Sequence, residues 1–388
     1  MKALLIAFAM SVVFTSALFS QSTTIKLPTQ DSTSNFIVTD NNNNVLFKIY
    51  GTGGFYVLGN ANGASLPALG SVPRLMWDPH HEAFRAGIVY NTQWDSANIG
   101  SYSFAAGDNS TASGDGSTAT GENSTASTTC ATAMGNSVFA GGYGATAFGT
   151  STRASGNWST ATGYETTASG ILSTALGMST TASGDSSTAI GTWVSTNSKS
   201  GACIIGDGSS AGTATNSSAN DQMMMRFAGG YVLYSNRGLT TGVHMDAGVS
   251  GWTNYCDRNK KTNFCPIDGE ELLLKIREIP ITEWSYKGAD PSIRYIGPMA
   301  QDFYAAFHLG GTDSLGINSI SIDGVNMAAV QALEKRTAEL QKASAKIAEL
   351  EERTSELQAS LNKLSAVVQT LVDEKKNVSM NVVESKEQ

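Results

Sequence analysis

The chain has 388 residues, room for two or three domains, and only 15% of them are charged, against roughly 25% in an average soluble protein. A formal net charge of −8 excludes the basic stripe that phosphate binding demands, so no nucleic-acid partner is expected. Charge is unevenly spread: residues 1–255 hold 22 charged side chains and residues 256–388 hold 36, which sets a domain boundary near position 255.

Lys2 precedes an apolar run over positions 3–13, followed by Thr15, Ser16, Ala17 and Ser20. This is the pattern of a secretory signal peptide over residues 1–20, shorter than the about 20 apolar residues of a spanning helix. No later run is long enough to span a bilayer. The protein is therefore expected to be secreted or at the cell surface, with no integral membrane segment after signal removal. Residues 21–102 read as an N-terminal β module, with strands at 36–39, 45–50 and 55–58 punctuated by an Asn turn at 41–44 and by glycine. His80 and His81, flanked by Asp78 and Glu82, read as a surface loop, and neither metal nor cofactor is expected.

A seven-residue beat then runs over residues 103–193. Alanine stands at 105, 112, 119, 126, 133, 140, 147, 154, 161, 168, 175, 182 and 189, with glycine two residues on except at Thr128. The residue after each alanine alternates between a larger or apolar set (Ala106, Thr120, Met134, Phe148, Thr162, Leu176, Ile190) and a small one (Ser113, Ser127, Gly141, Ser155, Ser169, Ser183). The unit is thus fourteen residues, two short strands and two turns per coil of a stacked solenoid. Invariant alanine implies a confined site that an extra methyl group would overpack. The glycine fits a turn with positive φ or a close backbone approach. A heptad coiled coil is excluded by the Gly, Ser and Thr content, at roughly 1 kcal/mol per Gly, and disorder by the unbroken register. No proline interrupts 80–265.

The unit Ser173-Thr174-Ala175-Leu176-Gly177-Met178-Ser179 resembles the head repeat of trimeric autotransporter adhesins. The resemblance implies a left-handed parallel β-roll with three chains side by side. Those adhesins end in a membrane β-barrel. The residues before Glu384-Ser385-Lys386-Glu387-Gln388 show no aromatic-girdled alternating strands, so none is expected there. The β-roll is assigned to 103–207, and a β connector to 208–255. Within the connector, residues 224–227 and 231–234 repeat the N-terminal pattern and are expected to cap the roll.

Beyond the boundary, spacing predicts helices over 270–279, ending at Pro280, and over 298–309, with strands at 281–286 and 292–296 between them. From Ala329 an alternating four-three series follows: Leu333, Arg336, Leu340, Ala343, Ile347, Leu350, Thr354, Leu357, Leu361, Leu364, Val368, Leu371. This predicts a coiled coil over 326–375 and a flexible tail over 376–388. At 1.5 Å per residue the coil adds about 65 Å to a head of about 30 Å.

The run Cys256-Asp257-Arg258-Asn259-Lys260-Lys261 completes a set with Pro266-Ile267-Asp268-Gly269, Trp284, Tyr286 and Gly297-Pro298-Met299-Ala300-Gln301-Asp302. Together they resemble the endosialidase-type intramolecular chaperones, self-cleaving C-terminal domains of phage tail spikes and fibres and of bacterial surface proteins. The domain is placed at 256–325. The resemblance implies that it nucleates trimerisation and then cuts itself off before a serine, with a lysine five residues on as general base. Here the serine position holds Cys256, the lysine is Lys261, Asp257 is the supporting acid, and the scissile bond is Tyr255–Cys256. A thiolate near a lysine is a competent nucleophile. The alternative is a chaperone that folds without cutting, with Cys256 inert or oxidised with Cys265. The other two cysteines are Cys130 and Cys203, and the set has no zinc-site spacing.

The expected fold is mainly β: a trimeric β-roll solenoid, then a small α+β chaperone domain and a coiled coil. The expected function is that of an exported, homotrimeric, fibre-like surface or tail protein for adhesion or display, with an unknown surface or host ligand. Its only enzymatic activity would be autoproteolysis. A further alternative is an ice- or ligand-binding array, because threonine precedes ten of the thirteen repeat alanines, from Thr111 to Thr188.

Overall fold

The structure, a computed structural model, describes residues 26–59, 66, 70–209 and 212–384. The expected signal peptide lies outside them. The chain divides into two units, residues 1–255 and 256–388.

In the first unit the seven-residue beat becomes two kinds of strand. Five-residue strands such as Thr132–Asn136, Thr146–Thr150 and Thr160–Tyr164 alternate with two-residue strands such as Phe139–Ala140 and Arg153–Ala154. Each pairs in parallel with its equivalent fourteen residues on, Ala133 opposite Ala147 and Ala140 opposite Ala154. A single chain therefore builds two parallel sheets, and a period of two turns the repeat alanines into the space between them. All thirteen have no exposed surface. The interior is shallow, filled with methyl groups and small hydroxyls: buried Ser110 and Ser124 donate to the carbonyls of Gly121 and Gly135, each at 2.9 Å.

Glycine meets both expectations at Gly163. Its φ is +130°, and a Cβ there would lie 1.8 Å from the Gly177 carbonyl oxygen. The corners hold a feature that the sequence did not announce. Asn109, Asn123, Ser137, Ser151, Glu165, Ser179 and Trp193 all sit at φ between 51° and 55°, a conformation costing roughly 1–2 kcal/mol for a residue with a side chain. The preceding coil compensates: the Asn123 N–H donates to Asp108 O and the Ser137 N–H to Glu122 O, both at 2.8 Å, continuing the ladder through the bend.

The long sheet outruns the regular heptads. It has eleven strands, ending in Cys203–Gly206 and Met223–Arg226 on one side and in Ala83–Ile88 and Arg74–Asp78 on the other. Ten of these run parallel, about 43 Å of stacked rungs at about 4.8 Å each. Met223–Arg226 is thus a rung and not part of a capping hairpin. Register persists from Ala189 to Ile204 to Met224 although the spacing lengthens to fifteen and then twenty residues. Beyond it, Gly230–Tyr234, Gly242–Asp246 and Thr253–Asn254 form an antiparallel sheet. Residues 35–57 form another, Asn35–Thr39, Val45–Tyr50 and Phe55–Val57.

At the N-terminal end of the roll, Arg85 occupies the interior column opposite Ala105. Its fully buried guanidinium donates to the carbonyls of Phe84, Ser103 and Ala112 and to the Ser103 hydroxyl. Burial pushes its pKa down to about 10, and Asp78 opposes that shift. The 78–82 turn is only partly the surface loop expected: Asp78 is buried and faces His81 Nδ1 at 2.8 Å, while His80 stays exposed. Trp94 closes the same end, its indole N–H donating to Ser110 O at 2.8 Å.

Among its described residues the second unit contains three α-helices, α1 (Gly269–Glu278), α2 (Ala300–Phe307) and α3 (Ser319–Glu384), with a hairpin of Thr282–Trp284 and Tyr295–Gly297 between the first two. Asp268 caps α1 by accepting from the Glu270 and Glu271 N–H groups. Leu272, Phe303 and Val325, one from each helix, form a core with Ile276, Phe307 and Ile322 around it. The 66 residues of α3 extend about 99 Å at 1.5 Å each. The helix continues through positions 376–384, which were expected as tail. Arg336, the charged exception in the four-three series, grips Glu270 of α1 through Nε at 3.0 and 2.8 Å, holding that carboxyl below its usual range.

Candidate active site

Two short-range devices bracket the bond between residues 255 and 256. On the acyl side, Val243 pairs with Asn254, and the Tyr255 N–H donates to Gly242 O at 3.2 Å. The Tyr255 ring stacks on Tyr234, with centroids 5.4 Å apart and planes 12° from parallel, and lies 4.8 Å from the His244 ring. The Tyr234 and Tyr255 hydroxyls are 3.2 Å apart, a contact that raises the Tyr255 phenol above its ordinary value.

On the amine side, Asp257 is extended and its carboxylate accepts from the Asn259 N–H, capping the 3₁₀ turn Arg258–Lys260. The Lys260 N–H donates to Asp257 O and the Lys261 N–H to Arg258 O, both at 3.2 Å. One such turn reverses the chain, so a side chain five residues on returns to its start. Lys261 Nζ stands 2.8 Å from Cys256 Sγ. Both residues are exposed, and Cys256 and Cys265 are free thiols.

Of the three residues singled out by motif, Cys256 and Lys261 meet, while Asp257 shapes the turn without touching the sulfur. A sulfur one residue past a carbonyl can act as a nucleophile toward it, and a lysine within hydrogen-bond reach can exchange protons with the reacting groups. The Tyr234–His244 cradle under Tyr255 was not anticipated. Its only sequence signal is the alternation of strand 242–246, which says that a face exists but not what lands on it. Trp284 lies 4.8 Å from both Tyr286 and Tyr295, an aromatic cluster supporting the hairpin. Among the described residues, no group of three or more His, Cys, Asp or Glu side chains is arranged to hold a metal, and no helix is long and apolar enough to cross a membrane.

Residues 256–311 match the family model for the chaperone of endosialidase. Its first matched residue is Cys256. Residues 105–127, 112–137, 140–166 and 168–192 match the model for the YadA head domain repeat. A YadA-like head is fused to an endosialidase-type chaperone region. No curated protein matches the chain.

Proposed function

We propose that the protein is exported as a homotrimeric fibre for adhesion or display, and that its C-terminal unit aligns the three chains before the head folds. The YadA-like head and the chaperone region support a fibre-like adhesin or tail protein with a chaperone domain. The observation that carries the assembly step is the apolar seam of α3. Leu333, Leu340, Ile347, Leu350, Leu357, Leu361, Leu364, Val368 and Leu371 are each 50–69% exposed in the single chain. A seam with that spacing is buried only by other helices, and the head repeats favour three. Register among long-range strand pairings is slow to find, and a C-terminal clamp shortens the search. Native mass spectrometry tests this: the full chain is a trimer, whereas a chain ending at Tyr255 misassembles. A truncated head that trimerises at full yield removes the chaperone role.

A second activity rests on the 2.8 Å contact between Lys261 and Cys256. In this reading Cys256 Sγ attacks the Tyr255 carbonyl carbon, Lys261 protonates the departing Cys256 nitrogen, and water hydrolyses the resulting thioester. The intact mass of reduced protein then shows a fragment beginning at Cys256. Lys261→Ala leaves the chain whole, and Cys256→Ser still cuts. A whole wild-type chain beside a self-cleaving Cys256→Ser variant assigns this copy to folding alone. The ice- or ligand-array alternative draws less support, since the ten threonines divide between the two sheets, six on long strands and four on short ones.

A further inference from the structure

Serine and cysteine at position 256 differ in more than nucleophilic strength. The acyl group would rest on oxygen in one case and on sulfur in the other. A thioester carbonyl is little stabilised by its sulfur, and the thiolate is a far better leaving group than an alkoxide, with an ordinary pKa near 8.5. Amines therefore attack thioesters in preference to water. Three observations set the stage for that outcome. Cys256 is exposed, so an outside nucleophile can approach the sulfur. Lys261 Nζ lies 2.8 Å from it. Tyr255 is held by its backbone bond to Gly242, by stacking on Tyr234 and by a tilted contact with the His244 ring, so the acyl group stays fixed at the end of the head after the bond breaks.

We infer that the junction is an acyl-transfer site, joining the carboxyl of Tyr255 to a primary amine such as a lysine side chain on a neighbouring surface. This rests on the cleavage reading and goes beyond it. In the first step the C–N bond of Tyr255–Cys256 breaks and a C–S bond forms. Lys261 gives its proton to the departing α-amine. In the second step the incoming amine attacks, its nitrogen loses a proton to the now neutral Lys261, and the C–S bond breaks to regenerate the Cys256 thiolate. The net change is exchange of one amine for another, with no oxidant, reductant or energy source. The products are a head bound covalently through Tyr255 and a released chaperone beginning at Cys256.

The test uses full-length reduced protein incubated alone, with mercaptoethanesulfonate, and with a cysteine-free peptide bearing one lysine, followed by intact mass. The expected head fragment ends at Tyr255 as a thioester in the second arm and as a peptide adduct in the third. Each is heavier than the free acid by the nucleophile less one water. Cys256→Ser is expected to cut while giving only the free acid. A wild-type chain that cuts but yields free acid in every arm overturns acyl transfer and leaves cleavage standing. A chain that stays whole in every arm overturns both.

Discussion

The head and the long helix solve the burial of apolar surface in opposite ways. In the head, each coil is covered by the coils before and after it, and thirteen alanines reach zero exposure within one chain. The larger apolar side chains point outward and stay open in a single chain, Phe148 at 52% exposure among them. In α3 nearly every apolar position of the seam is bare, and the helix is packed only where α1 and α2 lie over its first turns. A repeat that pairs with itself along the chain needs few partners to hold its interior. A repeat on one helix face holds nothing until a second copy arrives. On the proposed function, the contrast would give stability to one unit and assembly to the other.

The largest effect that would break this division is on the helix. Leu357→Asp combined with Leu364→Asp should convert the full chain from oligomer to monomer in native mass spectrometry. A surviving trimer would mean that the head associates by itself. Next comes Gly163→Ala, which pushes a methyl group to 1.8 Å from the Gly177 carbonyl oxygen at a φ of +130°. It should abolish the cooperative melting of the head followed by circular dichroism. Ala147→Leu should be milder, about 1–3 kcal/mol per copy from overpacking, read as a fall in the head's melting temperature with the helical transition unmoved. The smallest effect belongs to Thr160→Val on the outward, half-buried ladder. Stability there should stay within about 0.5 kcal/mol, and an ice-recrystallisation assay on either protein should show no inhibition.

The alanine column was legible because confinement leaves one acceptable side chain, so a physical constraint appears directly as letters. The long helix was legible from its four-three spacing, but the spacing did not say that Arg336, a charged member of the series, pairs with Glu270. The corners were opaque. Their left-handed backbone is held by main-chain hydrogen bonds to the adjacent coil, so Asn109, Glu165 and Trp193 serve equally and no residue type marks the position. The final rungs escaped because spacing drifts from fourteen to fifteen and then to twenty residues while the pairing stays in register. Arg85 escaped because an end plug occurs once and has no period. At the junction, the spacing of Cys256 and Lys261 was readable from a motif. The turn that closes them together became visible only through the cap by Asp257.

The fourteen-residue coil also acts as a unit of length in the gene. Removing fourteen residues between positions 104 and 192 restores every ladder and shortens the head by one rung of about 4.8 Å. Removing seven sets a five-residue strand against a two-residue one. Populations of such genes should therefore vary in steps of forty-two nucleotides and avoid steps of twenty-one, a discreteness imposed by two sheets that share one chain.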